Sequence, residues 1–266
     1  MLKQVSTLCL GITFFSIYNI GYADSNPCIG KNAFINIIDR PNNADSACVV
    51  PFKHFDLESG YDYQKIAPGT GYSHDFPQSE LRIGLPLQSE VFFVLPIYNY
   101  QFSPKNSGFS NSTLGLKHQV GYNDKWMLTA EGAFEFPGGS KDFGTQALGG
   151  FVSAIINYAI NDKFTFTFVV GGSIEADPIN AGGHHYNSFN PDAVLSYSVT
   201  EKWSLYGEIY GQTKTGANEN SGFNADVGLL YLVHPNVVID ISAGQRLRGY
   251  LYNIEHYFGA GISFLV

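Results

Sequence analysis

Residues 112–136, STLGLKHQVGYNDKWMLTAEGAFEF, hold two runs of strict two-residue alternation around one tight turn, and this pattern limits the fold more than any other feature of the chain. In the first run Leu114, Leu116, His118, Val120 and Tyr122 share a face opposite Gly115, Lys117, Gln119 and Gly121. The second continues the apolar face with Trp126, Leu128, Ala130, Gly132, Phe134 and Phe136, and the polar face with Thr129, Glu131 and Glu135. Successive side chains of a strand point to opposite sides of its sheet, so each strand has one greasy and one wet side. The same signature recurs to the end of the chain, at about 52–63, 78–86, 90–96, 112–122, 126–136, 146–158, 164–173, 188–199, 203–212, 222–232, 237–246 and 256–266. Twelve strands, an even number, predict an all-β, antiparallel transmembrane β-barrel of the outer-membrane type.

The connections sort by length. Short turns fall at 87–89, 123–125, 159–163, 200–202 and 233–236, and longer polar segments at 64–77, 97–111, 137–145, 173–186, 213–221 and 247–255. Short periplasmic turns opposite long external loops are the asymmetry of a bacterial outer-membrane barrel. Tyr122, Trp126, Tyr158, Phe164, Trp203 and Tyr231 flank the short turns on the apolar faces and predict one interfacial aromatic girdle. Tyr61, Tyr63, Phe93, Phe134, Phe136, Phe189 and Phe223 predict the opposite one.

The N-terminus carries Lys3, an uncharged apolar stretch and then Gly21-Tyr22-Ala23, the pattern of a secretory signal over 1–23. Residues 24–49 read as a periplasmic tail and 50–266 as the barrel, placing the chain in a bacterial outer membrane. Cys28 and Cys48 remain after export to a compartment where disulfides persist and are expected to pair. A formal charge of −8 with no cluster of Lys and Arg argues against a nucleic-acid partner. The partners expected are outer-membrane lipid, the barrel-assembly machinery and a small-molecule solute; the oligomeric state is left open.

The segments LYGEIYG (205–211), DVGLLYLVHPNVVIDISAGQRL (226–247) and FGAGISF (258–264), with SELRIGLP (79–86) and STLGLKHQV (112–120), resemble the outer-membrane proteins of the MetA-pathway of phenol degradation family. The resemblance covers about 78–266 and implies a transporter of small, often aromatic, compounds. The last strand also resembles the C-terminal strand read by the assembly machinery, with Val266 where an aromatic residue usually ends it.

In a barrel of this size the lumen lining sets selectivity. The wet faces offer Arg82, Lys117, Glu131, Asp192, Glu208, Asp226, Asp240 and Arg246 as lumen-lining candidates. If the 123–125 turn pairs Tyr122 with Trp126, Lys117 stands opposite Glu131 and the two form an ion pair. Arg82, Asp192, Glu208 and Asp226 fall at comparable heights, predicting a transverse, net acidic belt that either constricts a pore or fills a closed lumen. The polar face is also expected to accept lysine where the apolar face does not.

His184, His185 and Ser188 raise the alternative of a lipid-modifying barrel enzyme, but adjacent histidines in a glycine-rich loop do not by themselves set base and nucleophile in reach, and they form no zinc pattern. A structural or adhesin barrel is the other alternative. The reading adopted is a passive outer-membrane channel or transporter for small, possibly aromatic or hydrophobic solutes, not an enzyme, with no catalytic residues, cofactor or metal.

Overall fold

A computed structural model describes residues 26–66 and 71–266; the signal expected over 1–23 lies outside them. Fourteen strand segments form one antiparallel sheet: β1 (Phe55–Ile66), β2 (Tyr72–Leu85), β3 (Ser89–Val94), β4 (Tyr98–Phe102), β5 (Lys105–Phe109), β6 (Ser112–Tyr122), β7 (Trp126–Phe136), β8 (Gly149–Ala159), β9 (Phe164–Ala176), β10 (His185–Thr200), β11 (Trp203–Gln212), β12 (Gly222–His234), β13 (Val237–Arg248) and β14 (Ile254–Leu265). β1 pairs with both β14 and β2, which closes the sheet. β4 prolongs β3 along β2 in unchanged register, since Glu80 faces Val94 and Phe76 faces Tyr98. β5 prolongs β6 in the same way, with Val94 opposite Thr113 and Tyr98 opposite Phe109. The fourteen segments are therefore twelve staves, as the alternation predicts.

Several staves run further at the loop end than the apolar alternation does. The connection expected over 97–111 is largely a raised hairpin, and β1, β2, β9 and β10 extend into what reads as polar loop. The ladder bonds backbone to backbone and does not depend on the side chains, so it continues through the Gln64–Ser73 and Asp62–Asp75 pairs beyond the stretch that the alternation marks.

Which face meets lipid is decided by burial. Asp56, Glu58, Arg82 and Glu90 are 0 % exposed, whereas Leu116, Phe134 and Val152 on the opposite face are 60–68 % exposed. A soluble barrel would show the reverse, and an apolar belt this extensive is stable only in a membrane. The girdle beside the short turns is built from cross-strand ring pairs: Trp126 with Tyr158 at 4.4 Å, Trp203 with Tyr231 at 4.1 Å, and Phe164 with Tyr197 at 4.7 Å between centroids. His118, on the lipid side, is opposite Ser89 and hydrogen-bonded to its hydroxyl at 2.8 Å near a short turn.

The 26–50 segment corrects the expectation of a periplasmic tail, because it is folded into the barrel. Its one-turn helix α1 (Phe34–Ile37) buries Phe34 and Ile37 with Ile38 and Val50 against Met127, Ile155, Val194, Leu230, Leu232 and Val238 of the wall. Each such side chain contributes roughly 1.5–3 kcal/mol when withdrawn from water, which a hanging tail would forgo. The chain rises to Pro41-Asn42-Asn43 and returns, and the Cys28–Cys48 disulfide closes the base of this plug. Backbone sterics fit the wall to it: a Cβ at Gly84 would lie 2.0 Å from the Pro51 carbonyl oxygen.

The packed lumen also corrects the expectation that lysine is tolerated throughout the wet face. Thr129 is fully buried, its hydroxyl donating to the Ala47 carbonyl at 2.5 Å, so a lysine there would displace the plug. The sharp comparison is between neighbours in β8. Val152→Lys faces lipid and is expected to cost about 2–4 kcal/mol near the midplane, whereas Ser153→Lys enters the lumen beside Glu131. Urea unfolding of refolded barrels should separate the two, and equal losses would overturn the facing of β8.

Candidate functional site

Three wall glutamates hold the plug by its backbone. Glu58 accepts the amides of Asp39 and Arg40 at 2.9 and 2.8 Å, Glu208 those of Asn43 and Ala44 at 2.9 and 2.7 Å, and Glu90 that of Val50 at 2.5 Å. A carboxylate bonded to two adjacent amides fixes position and orientation together. Arg82 completes the grip. Its guanidinium donates to the carbonyls of Ile37 at 2.7 Å and Cys48 at 3.3 Å, thus to both limbs of the plug, and forms ion pairs with Asp39, Asp56, Glu58 and Glu90.

Lys117 stands opposite Glu131, as expected, but by a different route. A bulge between Gln119 and Gly121 sets Tyr122 against Met127 instead of Trp126, and the register above the bulge brings Lys117 and Glu131 together. The closest partner of Lys117 is Asp39 of the plug at 2.9 Å, with Glu131 at 3.9 Å. Burial pushes the Asp39 carboxyl up to about 6, against the opposing pull of Arg82 and Lys117. Burial, with Glu131 and Asp39 close by, pushes Asp45 well above the usual carboxylate range.

Within the lumen the residues of the expected net acidic belt are polarised between two groups of strands. Arg82 and Lys117 stand on β2 and β6, while Asp192, Glu208 and Asp226 occupy β10, β11 and β12 without a described ion pair. The plug spans the two groups, its Asn43 side chain donating to Asp192 at 3.0 Å. Asp240 pairs with Arg40 of the plug at 3.2 Å. The paired glycines Gly60 and Gly261 make room for that arginine, since a Cβ at either would lie within 2.4 Å of its guanidinium. Arg246 is apart from the network, near the external loops, where it lies over the Tyr250 ring at 5.0 Å. Asp39 and Arg40 of the plug, and the lumen tyrosines Tyr206, Tyr210 and Tyr257, are functional candidates that the alternation did not single out.

Space remains on the other side of the plug. An external vestibule of about 680 Å³, bounded by Asp62, Asp75, Glu175 and Tyr257, adjoins an inner cavity of about 290 Å³; Glu80, Tyr210 and Tyr252 line both. The inner cavity meets a narrower space of about 130 Å³ at Ala44 and Asp45, between the plug and a small polar wall of Asn157, Thr165, Thr167, Ser196 and Ser204. That space borders the mouth at the short-turn end through Asn36 and Ser204. The plug is thus held by charged side chains from several strands and bordered, toward the short-turn end of β8 to β11, by small polar side chains.

Among the described residues, Asp39, Glu58 and Glu80 bring carboxylate oxygens within 4.8 Å of one another, the spacing of a cation site, but Arg82 already pairs with two of the three. Ser188 bonds to Phe189, Thr213 and Lys214, and neither His184 nor His185 is among its described partners, so no nucleophile–base pair is assembled there.

A family model matches residues 38–265, from the plug to the last strand. The chain belongs to the MetA-pathway of phenol degradation family. No curated protein matches it. Among solved structures this family member is similar to the COG4313 outer membrane channel from Pseudomonas putida F1, at 12% identity and a TM-score of 0.65, over 85% of this chain and 100% of that one. It is also similar to the KdgM porin, at 9% identity and a TM-score of 0.54, and the NanC porin, at 12% and 0.53, each over 79% of this chain and 98% of the other. At these identities the likeness establishes the fold, an outer-membrane barrel.

Proposed function

We propose that the protein is a passive outer-membrane channel for small solutes, including ones with aromatic or hydrophobic parts. The observation that carries this reading is the succession of cavities from the external vestibule, past the plug, to the short-turn mouth. The family description and the solved channel of the same fold agree with it. Solute enters between the long loops, passes over Tyr210 and Tyr252, and descends between Asp45 of the plug and the small hydroxyl side chains of β9 to β11. No chemical step is required of the wall; it excludes by size and selects by charge.

Planar-bilayer recording tests this. Among the ionic side chains bordering the vestibule, Arg40 is the cation, beside Asp62, Asp75, Asp142 and Glu175, so the reversal potential in a salt gradient should show cation selectivity. Thr167→Trp and Ser196→Trp, in the narrow space, should lower conductance several-fold. Anion selectivity would remove the acidic-route model, and unchanged conductance in both tryptophan variants would remove the path beside the plug.

A further inference from the structure

Asp192, 5 % exposed, lines the inner cavity, and its Oδ1 has no donor among the described hydrogen bonds, although the Glu208 carboxyl lies within hydrogen-bonding reach of the Asp192 side chain. Its other oxygen accepts from Asn43 of the plug. Two residues earlier on the same face of β10, the Oδ1 of Asn190 is also unpartnered and borders the same space. A buried, unpaired acceptor is costly, and two beside one cavity describe a place built for a donor. The cavity lining contains Asp45, Glu80, Glu131 and Asp192 and no lysine or arginine.

The strand register adds the second half of the ligand. Asp192 stands directly between Val169 of β9 and Tyr210 of β11. Cross-strand neighbours on one face are about 4.5–5.5 Å apart at Cβ, so an aliphatic and an aromatic side chain flank the carboxylate. Phe92 and Phe151 line the same cavity. Gly171, at the level of Asn190, keeps the wall recessed there, since a Cβ on it would come within 2.9 Å of the Ser153 side chain.

We propose that the inner cavity is a binding site for small protonated amines with an aromatic or apolar body, the ammonium group held by Asp192 and Asn190 and the body lying against Tyr210, Val169 and Phe151. This deepens the channel reading and rests on it for the route of entry. An ammonium supplies three donors and no acceptor, matching the unpaired oxygens, and the tyrosine ring beside them favours a cation over a neutral group. An anion of the same shape would meet acids and no lysine or arginine in the cavity lining. A neutral alcohol would satisfy one acceptor and leave the charge unmatched.

The test is calorimetric titration of the full mature barrel in detergent with 2-phenylethylammonium, and with 2-phenylethanol and phenylacetate as shape-matched neutral and anionic probes. The amine should bind at least about ten-fold more tightly than either, the discrimination expected when a charge-assisted hydrogen bond is lost. Asp192→Asn keeps the acceptor toward Asn43 and should weaken the amine about ten-fold while leaving 2-phenylethanol unchanged. Equal binding of amine and alcohol by the unmodified protein, which involves no variant and so no question of folding, would overturn the proposal. Unchanged amine affinity in Asp192→Asn would also overturn it. Bilayer recordings on the same preparation separate the two readings. Conductance without amine preference leaves the channel and removes the site, whereas amine preference without conductance leaves the site and removes the channel.

Discussion

Arg82→Met is expected to lower barrel stability by about 3–5 kcal/mol, the typical cost of removing one partner from a buried ionic network. The side chain is 0 % exposed and ion-paired with Asp39, Asp56, Glu58 and Glu90, so methionine fills the volume but leaves Asp39 and Glu90 with Lys117 alone and Asp56 and Glu58 without a described cationic partner. The loss is also local to the plug, whose Ile37 and Cys48 carbonyls forfeit their donor. Arg82→Lys should recover only part of the loss, because an ammonium lacks the planar fork that reaches acids and carbonyls on several sides at once. Urea unfolding followed by the heat-dependent gel shift of the folded barrel measures both variants. A midpoint for Arg82→Met indistinguishable from that of the unmodified protein would show that the network does not hold the fold.

Releasing the plug should change conductance more than any substitution in the wall. A chain lacking residues 26–50 loses the occupant of the lumen's short-turn half, and its single-channel current is expected to rise several-fold. Because such a deletion also bares Leu232, Val238 and Ile155 inside the barrel, a gentler variant is the better control. Phe34→Asp with Ile37→Asp places two charges in an apolar socket, where burial without a partner is costly, while the disulfide still tethers the segment. Breaking the Cys28–Cys48 bond in that background removes a restraint that is worth about 3 kcal/mol for a loop near this length. Current should then rise stepwise from the unmodified protein to the charged plug to the charged plug without its disulfide. Identical currents in all three would mean that solute does not pass the plug at all.

Much of this structure is legible in the chain. Two-residue periodicity determines which side chains share a face, so the twelve staves, the lipid-facing belt, the girdle of Trp126, Tyr158, Trp203 and Tyr231, and the placement of Arg82, Lys117, Asp192, Glu208, Asp226 and Asp240 inside all follow from local alternation. The pairing of Cys28 with Cys48 follows from an export signal and two remaining thiols. The plug was not legible in the same way, because a segment without periodicity carries no statement of where it docks. Its trace in the sequence is indirect: Ile155, Leu230, Leu232 and Val238 are apolar on a face that should be wet, and the wall has more acids than bases. Only tertiary structure brings Asp39 and Arg40 beside Lys117 and Asp240, replaces Glu131 with Asp39 as the nearest partner of Lys117, and leaves one oxygen of Asp192 without a described donor in a residue that lines the inner cavity. The reason is physical. Alternation is set by backbone geometry within a strand, whereas the partner of a buried charge depends on which distant segment desolvates it, and that is decided when the barrel closes around the plug.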